Sequence, residues 1–448
     1  MNDLKLAIAY LNAKKPAYDL LWRYYDGDHP LIYSTEKLRS IFKGINARFN
    51  ENWCAVVADS VLERMALAMP VVVNDKSTTA KLEAVWTETG LLDEVYSVHE
   101  DVTVTGESFV IAWPDEEDVV QVYQNDARLC HAQYDDENPR KMRFAAKWWR
   151  AEDGKVRVNL YYADRIEYYI SKREMKTGEE ISDKFFVELP ESPAVNPFER
   201  IPVFHFRSNK RKVKSQLENV VPPQDAVNKL LADMMIAAEF GAFPQRFVIS
   251  AQGIEGANLK NNPNEIWDLV GGVQGDQETK AGQFDPTNLE NYINAINKLS
   301  TDIGVISRTP RHYFFQQGGD PSGEALIAME APLVKKCERL QKMLKPTWQS
   351  LAQFVLALSG VTVPATAVLA VYDESATVQP QTQANIRKTS VDAGMPLRTV
   401  LKTYEGWTNE DIEEMEKDAE AERVAMGTFA DAVLSSVEKD FDQGKVRG

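Results

Sequence analysis

A glycine-rich stretch directly before a long helical pattern is the first place where this sequence could do chemistry. Residues 318–324 read GGDPSGE, and a helix N-terminus that follows glycine binds phosphate well because backbone N–H groups can approach the anion. A phosphate-binding P-loop also needs G-x-x-x-x-G-K followed by Ser or Thr. GGDPSGE has no lysine, and GGVQGDQETKAG, which begins at Gly271, has no Lys-Ser or Lys-Thr pair. The sequence therefore argues against a nucleotide-driven motor.

No serine in this stretch has the surroundings of a nucleophile. Ser322 lies between Pro321 and Gly323, whereas the nucleophile elbow of hydrolases is G-x-S-x-G. Serine is favoured at the start of a helix because its hydroxyl satisfies a free backbone N–H there. We therefore interpret Ser322 as part of the first turn of the helix, and we expect no catalytic residue.

Metal ligands are not grouped in any familiar spacing. The five histidines, which are His29, His99, His131, His205 and His312, occur in no H-E-x-x-H or Cys-x-x-Cys context. Cys130 and His131 are neighbours, but adjacent side chains of a strand point to opposite faces. The acidic residues 135–137 precede Asn138-Pro139, which is typical of a solvated turn. We expect no metal ion and no cofactor.

Composition restricts the class of protein further. The chain has 448 residues, of which 44% are hydrophobic and 26% charged, and its net charge is −16. This balance is typical of a globular protein with two to four packed regions, and the negative charge disfavours binding of nucleic acid over the whole surface. No apolar stretch approaches the roughly 20 residues of a membrane helix. Three distant cysteines indicate a reducing compartment, so we expect a protein that stays inside the cell in which it is made.

The elements that hold these residues change in type along the chain. Residues from about Ala13 to Met69 read as helices, and Asn50 or Asn52 could cap the run NENWCAVVADSVLERM. From Gly106 onward the pattern predicts short strands separated by turns: ESFVIAW, VVQVYQ, MRFAAKWW, VRVNLYY and RIEYYIS. We expect the neighbouring tryptophans of MRFAAKWW to pack in a core rather than to stack on bases.

Two predicted helices enclose a segment of different character. The first helix begins near Pro222-Pro223 and runs to Gly241, and the second begins at Asp285-Pro286 and ends before Gly304. Between them, residues 243–284 hold two predicted strands, QRFVIS and EIWDL, among Gly, Asn and Pro. The pattern predicts a small β-containing lobe mounted on a pair of helices.

A long amphipathic helix follows the glycine-rich stretch, with a start signal at Asp320-Pro321. At 100° per residue one face collects leucines, while Lys335, Arg339, Lys342 and Lys345 lie near the opposite side. Pro332 predicts a bend or break close to Ala331. Beyond Gly360 we expect one last strand, ATAVLAVYD, and then a polar helical tail.

Several segments, in this order along the chain, resemble the portal proteins (head-to-tail connectors) of tailed double-stranded DNA bacteriophages. They are YDLLWRYYDGDHP, NENWCAVVADSVLERM, GESFVIAWPD, NPFERIPVFHF, PPQDAVNKLLADMMIAAEFGAFPQRFVIS and SRTPRHYFFQQGGDPSGEALIAMEAPLVKKCERLQ. The resemblance covers Tyr18 to about Leu358. It implies an α+β, multi-domain portal fold with a mixed wing, a two-helix stem, a small β-containing clip and a helical crown. The implied domains are the wing (1–215), stem helix 1 (216–242), clip (243–285), stem helix 2 (286–305), tunnel-loop region (306–325), tunnel helix with the rest of the wing (326–375) and crown (376–448).

The resemblance also implies a function and a set of partners. Portal proteins form a ring, usually a dodecamer, at one vertex of the capsid, and double-stranded DNA is packaged and ejected through its channel. The clip docks the terminase large subunit during filling and head-completion or adaptor proteins afterwards, and Ile266 and Trp267 are candidate contacts there. Major capsid and scaffolding proteins are further partners, and no membrane is involved. The implied location is the virion, after assembly in the host cytoplasm.

Two groups of residues are candidates for DNA contact under this resemblance. One is the tunnel loop at the narrowest part of the channel, which consists of Gln316, Gln317, Gly318, Gly319, Asp320 and Ser322. Such a loop should touch DNA weakly, because each lysine or arginine contact adds affinity that resists sliding. The other group is basic: Lys210, Arg211, Lys212 and Lys214 before the stem, and Lys335, Arg339, Lys342 and Lys345 on the long helix. These residues either face DNA or pair with acids of a neighbouring subunit, and pairing or solvation is the commoner use of a charged helical face.

Two other functions stay open. A head-to-tail adaptor or minor capsid component is usually shorter and lacks the arrangement of helix, small β lobe and helix. A packaging enzyme such as the terminase large subunit is disfavoured by the missing phosphate-binding motif.

Overall fold

The structure is a computed structural model that describes residues 3–30, 50–73, 75–117, 119–176, 178–242, 246–249, 280–283, 285, 287–314, 322–373, 375, 380–404, 407 and 411–424. The chain divides into two compact units, residues 1–376 and 377–448. The helices are α1 (Asp3–Tyr25), α2 (Trp53–Leu62), α3 (Lys76–Glu88), α4 (Leu91–Val104), α5 (Val221–Ala242), α6 (Glu290–Ser307), α7 (Gly323–Leu358), α8 (Pro380–Asp392), α9 (Leu397–Tyr404) and α10 (411–424). The strands are β1 (Leu67–Val72), β2 (Glu107–Pro114), β3 (Val120–Asn125), β4 (Cys130–Tyr134), β5 (Met142–Arg150), β6 (Val156–Tyr161), β7 (Arg165–Ser171), β8 (Phe186–Glu188), β9 (Ala194–Val195), β10 (Val203–Arg207), β11 (Arg246–Ile249), β12 (Lys280–Gln283) and β13 (Val368–Tyr372). The predicted mixture of helices and strands is confirmed.

The central sheet of the first unit is antiparallel, with strand order β10-β2-β3. Its middle strand, β2, is buried on both faces over Glu107–Ala112, which explains why Phe109 to Ala112 are a continuous apolar run rather than an alternating one. On one face α7 packs Trp348 against Phe206 of β10, with ring centroids 4.5 Å apart, and against Trp86 of α3. This core fixes the long helix α7 relative to the sheet.

A second, larger sheet has the order β4-β5-β6-β7-β8, with β9 pairing on β7. Helix α1 covers it, and Leu4, Ile8 and Leu11 join Phe144 and Trp148 in one buried cluster. Trp148 is thus a core residue, as predicted. The predicted strands from ESFVIAW to RIEYYIS are all present, as β2, β3, β5, β6 and β7.

A helix pair, α5 and α6, continues into a small antiparallel strand pair. Arg246 of β11 lies opposite Gln283 of β12, and Ile249 lies opposite Lys280. Strand β11 is the predicted QRFVIS strand, whereas the KAGQ strand β12 was not predicted, because its residues have low strand propensity. The other predicted strand, EIWDL, lies outside the described residues.

Three predicted helix boundaries are wrong. Helix α6 begins at Glu290 rather than at Asp285-Pro286, because the side chain of Asn288 accepts a hydrogen bond from Glu290 N at 2.9 Å. It continues past Gly304 to Ser307, where Arg308 ends it in the left-handed conformation (φ 61°). Helix α7 begins at Gly323 rather than at Asp320-Pro321.

Of the bend or break predicted close to Ala331, the break is wrong, since α7 runs without interruption from Gly323 to Leu358 and contains Pro332. A proline removes one helical hydrogen bond. The apolar face offsets that loss, because Leu333, Cys337 and Leu340 are buried directly after the proline.

The two-stranded sheet β1-β13 lies beside α7. Leu67 pairs with Tyr372, and the register shifts by a bulge between Ala68 and Val71. One face of the sheet is buried through Val72 and Val368, whereas Val71 and Leu369 on the other face are exposed. Among the described residues, β1 and β13 pair only with each other.

The second unit, residues 377–448, is helical where it is described. Arg398 of α9 donates to Glu416 of α10 at 2.7 Å, and Val400, Leu401 and Ile412 are buried between the helices. The predicted polar helical tail is therefore confirmed for residues 411–424. No helix in the described part of the chain has the length and apolarity that crossing a membrane requires.

Candidate functional site

The segment predicted to line a channel lies mostly outside the described residues. Gln316 to Asp320 are not described, and the same holds for the candidate clip contacts Ile266 and Trp267. Ser322 is described, and its Oγ accepts a hydrogen bond from Ala325 N at 3.3 Å. It is the N-cap of α7, which confirms the interpretation of this serine as part of a helix start.

Side-chain contacts anchor the chain at the N-terminal end of segment 315–321. Phe314 packs its ring edge-on against Trp53 at 5.9 Å, and the hydroxyl of Tyr313 accepts a hydrogen bond from Arg64 at 2.7 Å. Arg64 also contacts Glu330 of α7 at 3.4 Å. Segment 315–321 is thus framed by two anchored positions, Phe314 and Ser322.

The predicted basic residues lie on two elements, the loop after β10 and the helix α7. Lys210, Arg211, Lys212 and Lys214 belong to a loop between β10 and α5, and all four are exposed. Lys212 lies 3.8 Å from Glu218. On α7, Lys335 contacts Glu338 of the same helix at 3.0 Å. Lys335 therefore has an acidic partner within its own chain, one turn away.

The structure brings members of the two basic groups together in one cleft of about 230 Å³, which we call the basic cleft. Its lining residues come from the loop after β10, the end of α6 and the middle of α7. The cationic ones are Lys214, Arg308, Lys336 and Arg339, and the polar ones are Ser208, Asn209, Ser215, Gln216, Asn219 and Ser307. Lys210, Arg211, Lys212, Lys335, Lys342 and Lys345 do not line it.

Sequence reasoning missed two of the four cations. Arg308 stands at the C-terminus of α6 in the left-handed conformation, which no local pattern indicated. Lys336 lies about 100° from Lys335 on the helical wheel, between the basic face and the leucine face. That border position was the available signal, because a lysine there can bury its stem and direct its amine along the surface.

A local hydrogen-bond network holds the loop in place. Ser208 N donates to Gly106 O at 2.8 Å, and Ser208 Oγ donates to Lys214 O at 2.8 Å. Ser215 Oγ donates to Val104 O at 2.5 Å. Gly106 has φ +99°, and a Cβ on it would lie 2.7 Å from the carbonyl carbon of Lys214. The backbone of Lys214 is thus fixed by close approach to Gly106.

The electrostatics of the basic cleft differ from those of a larger neighbour. A cleft of about 530 Å³ beside α1 contains Lys15, Arg150 and Lys176, but also Asp19, Glu179 and Glu180, so its charges balance. The basic cleft has no carboxylate among its lining residues. Its most enclosed amine, Lys336 Nζ, donates to Ser307 O at 2.9 Å. Burial, with a smaller contribution from nearby Arg308, lowers the pKa of Lys336 to about 8.

A separate buried cluster joins α1 to the sheets. Glu107 accepts hydrogen bonds from Lys14 Nζ at 2.8 Å, Tyr18 OH at 2.9 Å and His205 Nε2 at 2.7 Å. Burial alone would raise the pKa of Glu107, but Lys14 and His205 outweigh it and lower that pKa. Burial lowers the pKa of His205, so its imidazole is neutral. The cluster is enclosed and fully paired, which is typical of a structural role.

The remaining candidates for chemistry have structural explanations. Cys54, Cys130 and Cys337 are buried free thiols, and burial raises the pKa of Cys130 to about 12. His131 stacks on Tyr10 at 4.5 Å. Asp135 accepts backbone hydrogen bonds from Glu137 and Asn138, as in the predicted turn. Within the described part of the chain, no group of three or more His, Cys, Asp or Glu is arranged to hold a metal ion.

Comparisons with known proteins point in one direction. The sequence profile of the family described as "Phage portal protein, SPP1 Gp6-like" matches residues 4–424. A portal protein of Mycobacterium phage D29 is 27% identical over 148 residues, which are 31% of this chain and 30% of the relative. A portal protein of Mycobacterium phage L5 is 27% identical over 129 residues, or 28% of this chain and 26% of the relative. The matched segments thus span less than a third of these curated relatives.

Two solved structures cover much of the chain at low similarity. One is the neck of an empty gene transfer agent particle, computed with C6 symmetry, with a TM-score of 0.45 and 12% identity over 81% of this chain and 90% of the other. The second is the virion of a native gene transfer agent particle, with a TM-score of 0.42 and 10% identity over the same shares. Because the family profile matches nearly the whole sequence, the chain belongs to the SPP1 Gp6-like family of phage portal proteins.

Proposed function

We propose that copies of this chain assemble into a portal ring at one vertex of a capsid, and that double-stranded DNA enters and leaves through the channel of the ring. The observation that supports the proposal best is the family match over residues 4–424. The proposal assigns the chain no catalytic step. It places the protein in the virion.

The helix pair has surfaces that suit contact with further copies. Met235 of α5 and Ile293 of α6 are exposed, and near the end of α6 Val305 is 73% and Ile306 47% exposed. Exposed apolar groups on neighbouring helices favour association because burying them removes apolar area from water. We assign this helix pair to the stem of the ring and the strand pair β11-β12 to the clip.

Residues 316–320, together with Ser322, are our candidates for the lining of the channel. Gln316 and Gln317 offer neutral polar groups, Gly318 and Gly319 offer conformational freedom, and Asp320 repels phosphate. A weak contact suits a duplex that must slide, since each basic contact adds affinity through counterion release. The anchored positions Phe314 and Ser322 support the proposal, because a loop that touches moving DNA needs fixed ends.

The same proposal assigns partners to the segment between α5 and α6. We propose that residues 243–285, including Ile266 and Trp267, dock the terminase large subunit during filling and head-completion or adaptor proteins afterwards. Contacts with the major capsid and scaffolding proteins belong to the rest of the ring. Arg211 and its basic neighbours in the loop after β10 are candidates for contact with DNA or with an adjacent copy.

Electron microscopy of the purified chain tests the proposal directly. We expect negative-stain images with rings that have a central hole, and native mass spectrometry should give a single large homo-oligomer, with twelve copies as the expected number. A uniform monomer that hydrolyses ATP would overturn the proposal and favour a packaging enzyme.

A further inference from the structure

Within the described part of the chain, no carboxylate neutralises the positive charge of the basic cleft. Four cationic side chains line it from three separate elements: Lys214 from the loop after β10, Arg308 from the end of α6, and Lys336 and Arg339 from α7. Among the described residues, none of the four lies within ion-pair distance of a carboxylate. Lys214, Arg308 and Arg339 are exposed, and Lys336 is half-buried. Because a partly buried charge is normally paired, Lys336 in particular lacks a counter-charge among the described residues.

The excess of positive charge is greatest in effect at Lys336, the least exposed of the four cations. Its amine is half-buried and donates to the backbone carbonyl of Ser307 at 2.9 Å, so one of its three N–H groups is used. Burial and, to a smaller extent, nearby Arg308 lower its pKa, as expected for a partly enclosed amine beside a second cation. Placing two cations together costs free energy unless an anion lies between them.

The walls of the cleft are set before any ligand arrives. The backbone of Lys214 is held by Ser208 and by the close approach of Gly106, and α7 is fixed through Trp348 in the main core. Ser208, Asn209 and Asn219 add neutral hydrogen-bonding groups to the lining. A fixed backbone holds the bases of the cationic side chains close together, so that less conformational entropy is lost when they close on an anion.

We propose that the basic cleft is a binding site for a phosphate group. A phosphate has one to two negative charges and several oxygens that accept hydrogen bonds, and the planar guanidinium groups of Arg308 and Arg339 match it with paired donors. A single carboxylate supplies only one negative charge for four cations. The inference concerns a different surface from segment 315–321 and does not rest on the proposed ring.

The site has a defined dependence on pH. The charged groups that face Lys336 are Arg308 from the end of α6, Lys214 from the loop and Arg339 from its own helix. The protonated amine binds the anion, so affinity falls as pH rises through the pKa of Lys336, which is about 8 in the empty site. Bound phosphate raises that pKa, and binding near pH 8 therefore takes up protons from the buffer.

Isothermal titration calorimetry on the full-length chain tests the site. Inorganic phosphate is titrated at constant ionic strength in a buffer without phosphate, at pH 8 and pH 9.5, where the ion is mainly the dianion at both values. We expect binding at pH 8 that weakens at pH 9.5, and Lys336→Met and Arg339→Gln should each reduce affinity by about tenfold or more. The control is Lys342→Gln, which removes one exposed positive charge from the same helix outside the cleft. It should leave affinity unchanged.

Two further arms of the experiment decide what the phosphate belongs to and whether the site exists. If a short DNA duplex competes with inorganic phosphate, the site binds the phosphate groups of a nucleic-acid backbone. If only the free ion binds, the ligand is a small phosphate. Both results support the site. Equal affinity for wild type, Arg339→Gln and Lys342→Gln would overturn it. Failure of phosphate to bind would also overturn the site. If Arg339→Gln then dissociated assembled copies as well, the result would indicate that a carboxylate of a second copy fills the cleft. Arg339 is exposed, so this variant is expected to fold.

Discussion

Gly106 shows how one missing Cβ positions the backbone of a charged residue elsewhere in the sequence. Its left-handed conformation (φ +99°) is strained for other residues, and the backbone of Lys214 occupies the place where a Cβ would point. The glycine thus serves two purposes. It forms the turn between α4 and β2, and it leaves space for the backbone of the loop after β10. The loop geometry therefore depends on a residue about a hundred positions earlier.

Replacing Gly106 with alanine should destabilise the protein by about 2–4 kcal/mol, since backbone strain adds to a contact that must move. The measurement is the free energy of unfolding in urea, followed by tryptophan fluorescence. Gly360→Ala is the matched control, because Gly360 has φ +77° but nothing within 4 Å of its Cβ position. It should cost only about 1 kcal/mol. Equal losses in the two variants would show that contact with Lys214 contributes nothing.

At the scale of elements, α1 is joined to β2 and β10 by one buried carboxylate. Glu107 of β2 is paired with Lys14 of α1 at 2.8 Å, and both side chains are largely buried. A buried pair adds little net stability, but removing one partner leaves the other charge without compensation. The pair therefore fixes where α1 lies more than it strengthens the fold.

We expect Lys14→Met to lower the free energy of unfolding by about 3 kcal/mol at pH 7. Lys15→Met is the control, because Lys15 pairs with Asp19 at the surface and such pairs contribute about 0.5 kcal/mol. The pKa of Glu107 is lowered in the folded chain, so the pair's contribution is present above the ordinary value of 4.5 and is lost as the pH falls below it. Urea titrations at pH 7 and pH 3.5 measure this difference. A gap between the two variants that stays the same at pH 3.5 would contradict the assignment.

Local signals in the sequence predicted which helices and strands form, but they did not predict which of these elements lie side by side in the fold. Short runs of β-branched and aromatic residues between turns predicted β3 and β6. Of the two proposed caps, Asn50 and Asn52, Asn52 is the cap, since it accepts from Ala55 N. Strand β12 was missed because it forms only by pairing with β11, and pairing between distant segments leaves no local period. The basic loop and the basic face of α7 were both noted, but their meeting in one cleft depends on how α6 ends at Arg308. Tertiary packing alone determines that junction.

At the scale of the whole molecule, buried neutral histidines link stability to pH. His99 accepts a hydrogen bond from Trp348 Nε1 at 3.3 Å and contacts Tyr372 OH at 3.1 Å. Burial lowers its pKa to about 3. The unfolded chain takes up a proton near pH 6.5 that the folded chain excludes, so stability is complete above pH 6.5 and falls as the pH drops towards 3.

The free energy of unfolding of the wild-type chain should therefore decrease between pH 6.5 and pH 5, with His99 contributing about 1.4 kcal/mol per pH unit. His99→Gln removes that share and should flatten the dependence, although it lowers stability at pH 7. Urea unfolding at half-unit pH intervals gives both slopes. Identical slopes for variant and wild type would show that His99 titrates equally in both states.

The sheet β1-β13 has a consequence for how the chain behaves at high concentration. Its outer face exposes Val71, Leu369 and Val371, and a short two-stranded sheet invites a foreign strand to add along either side. On the β1 side Pro70 has no N–H to offer, and the bulge between Ala68 and Val71 interrupts the row of donors and acceptors. Addition of another strand is therefore favoured on the β13 side. Because each copy then offers one such edge, pairing between two copies at high concentration uses up both edges and ends at a pair of molecules rather than continuing into a fibre.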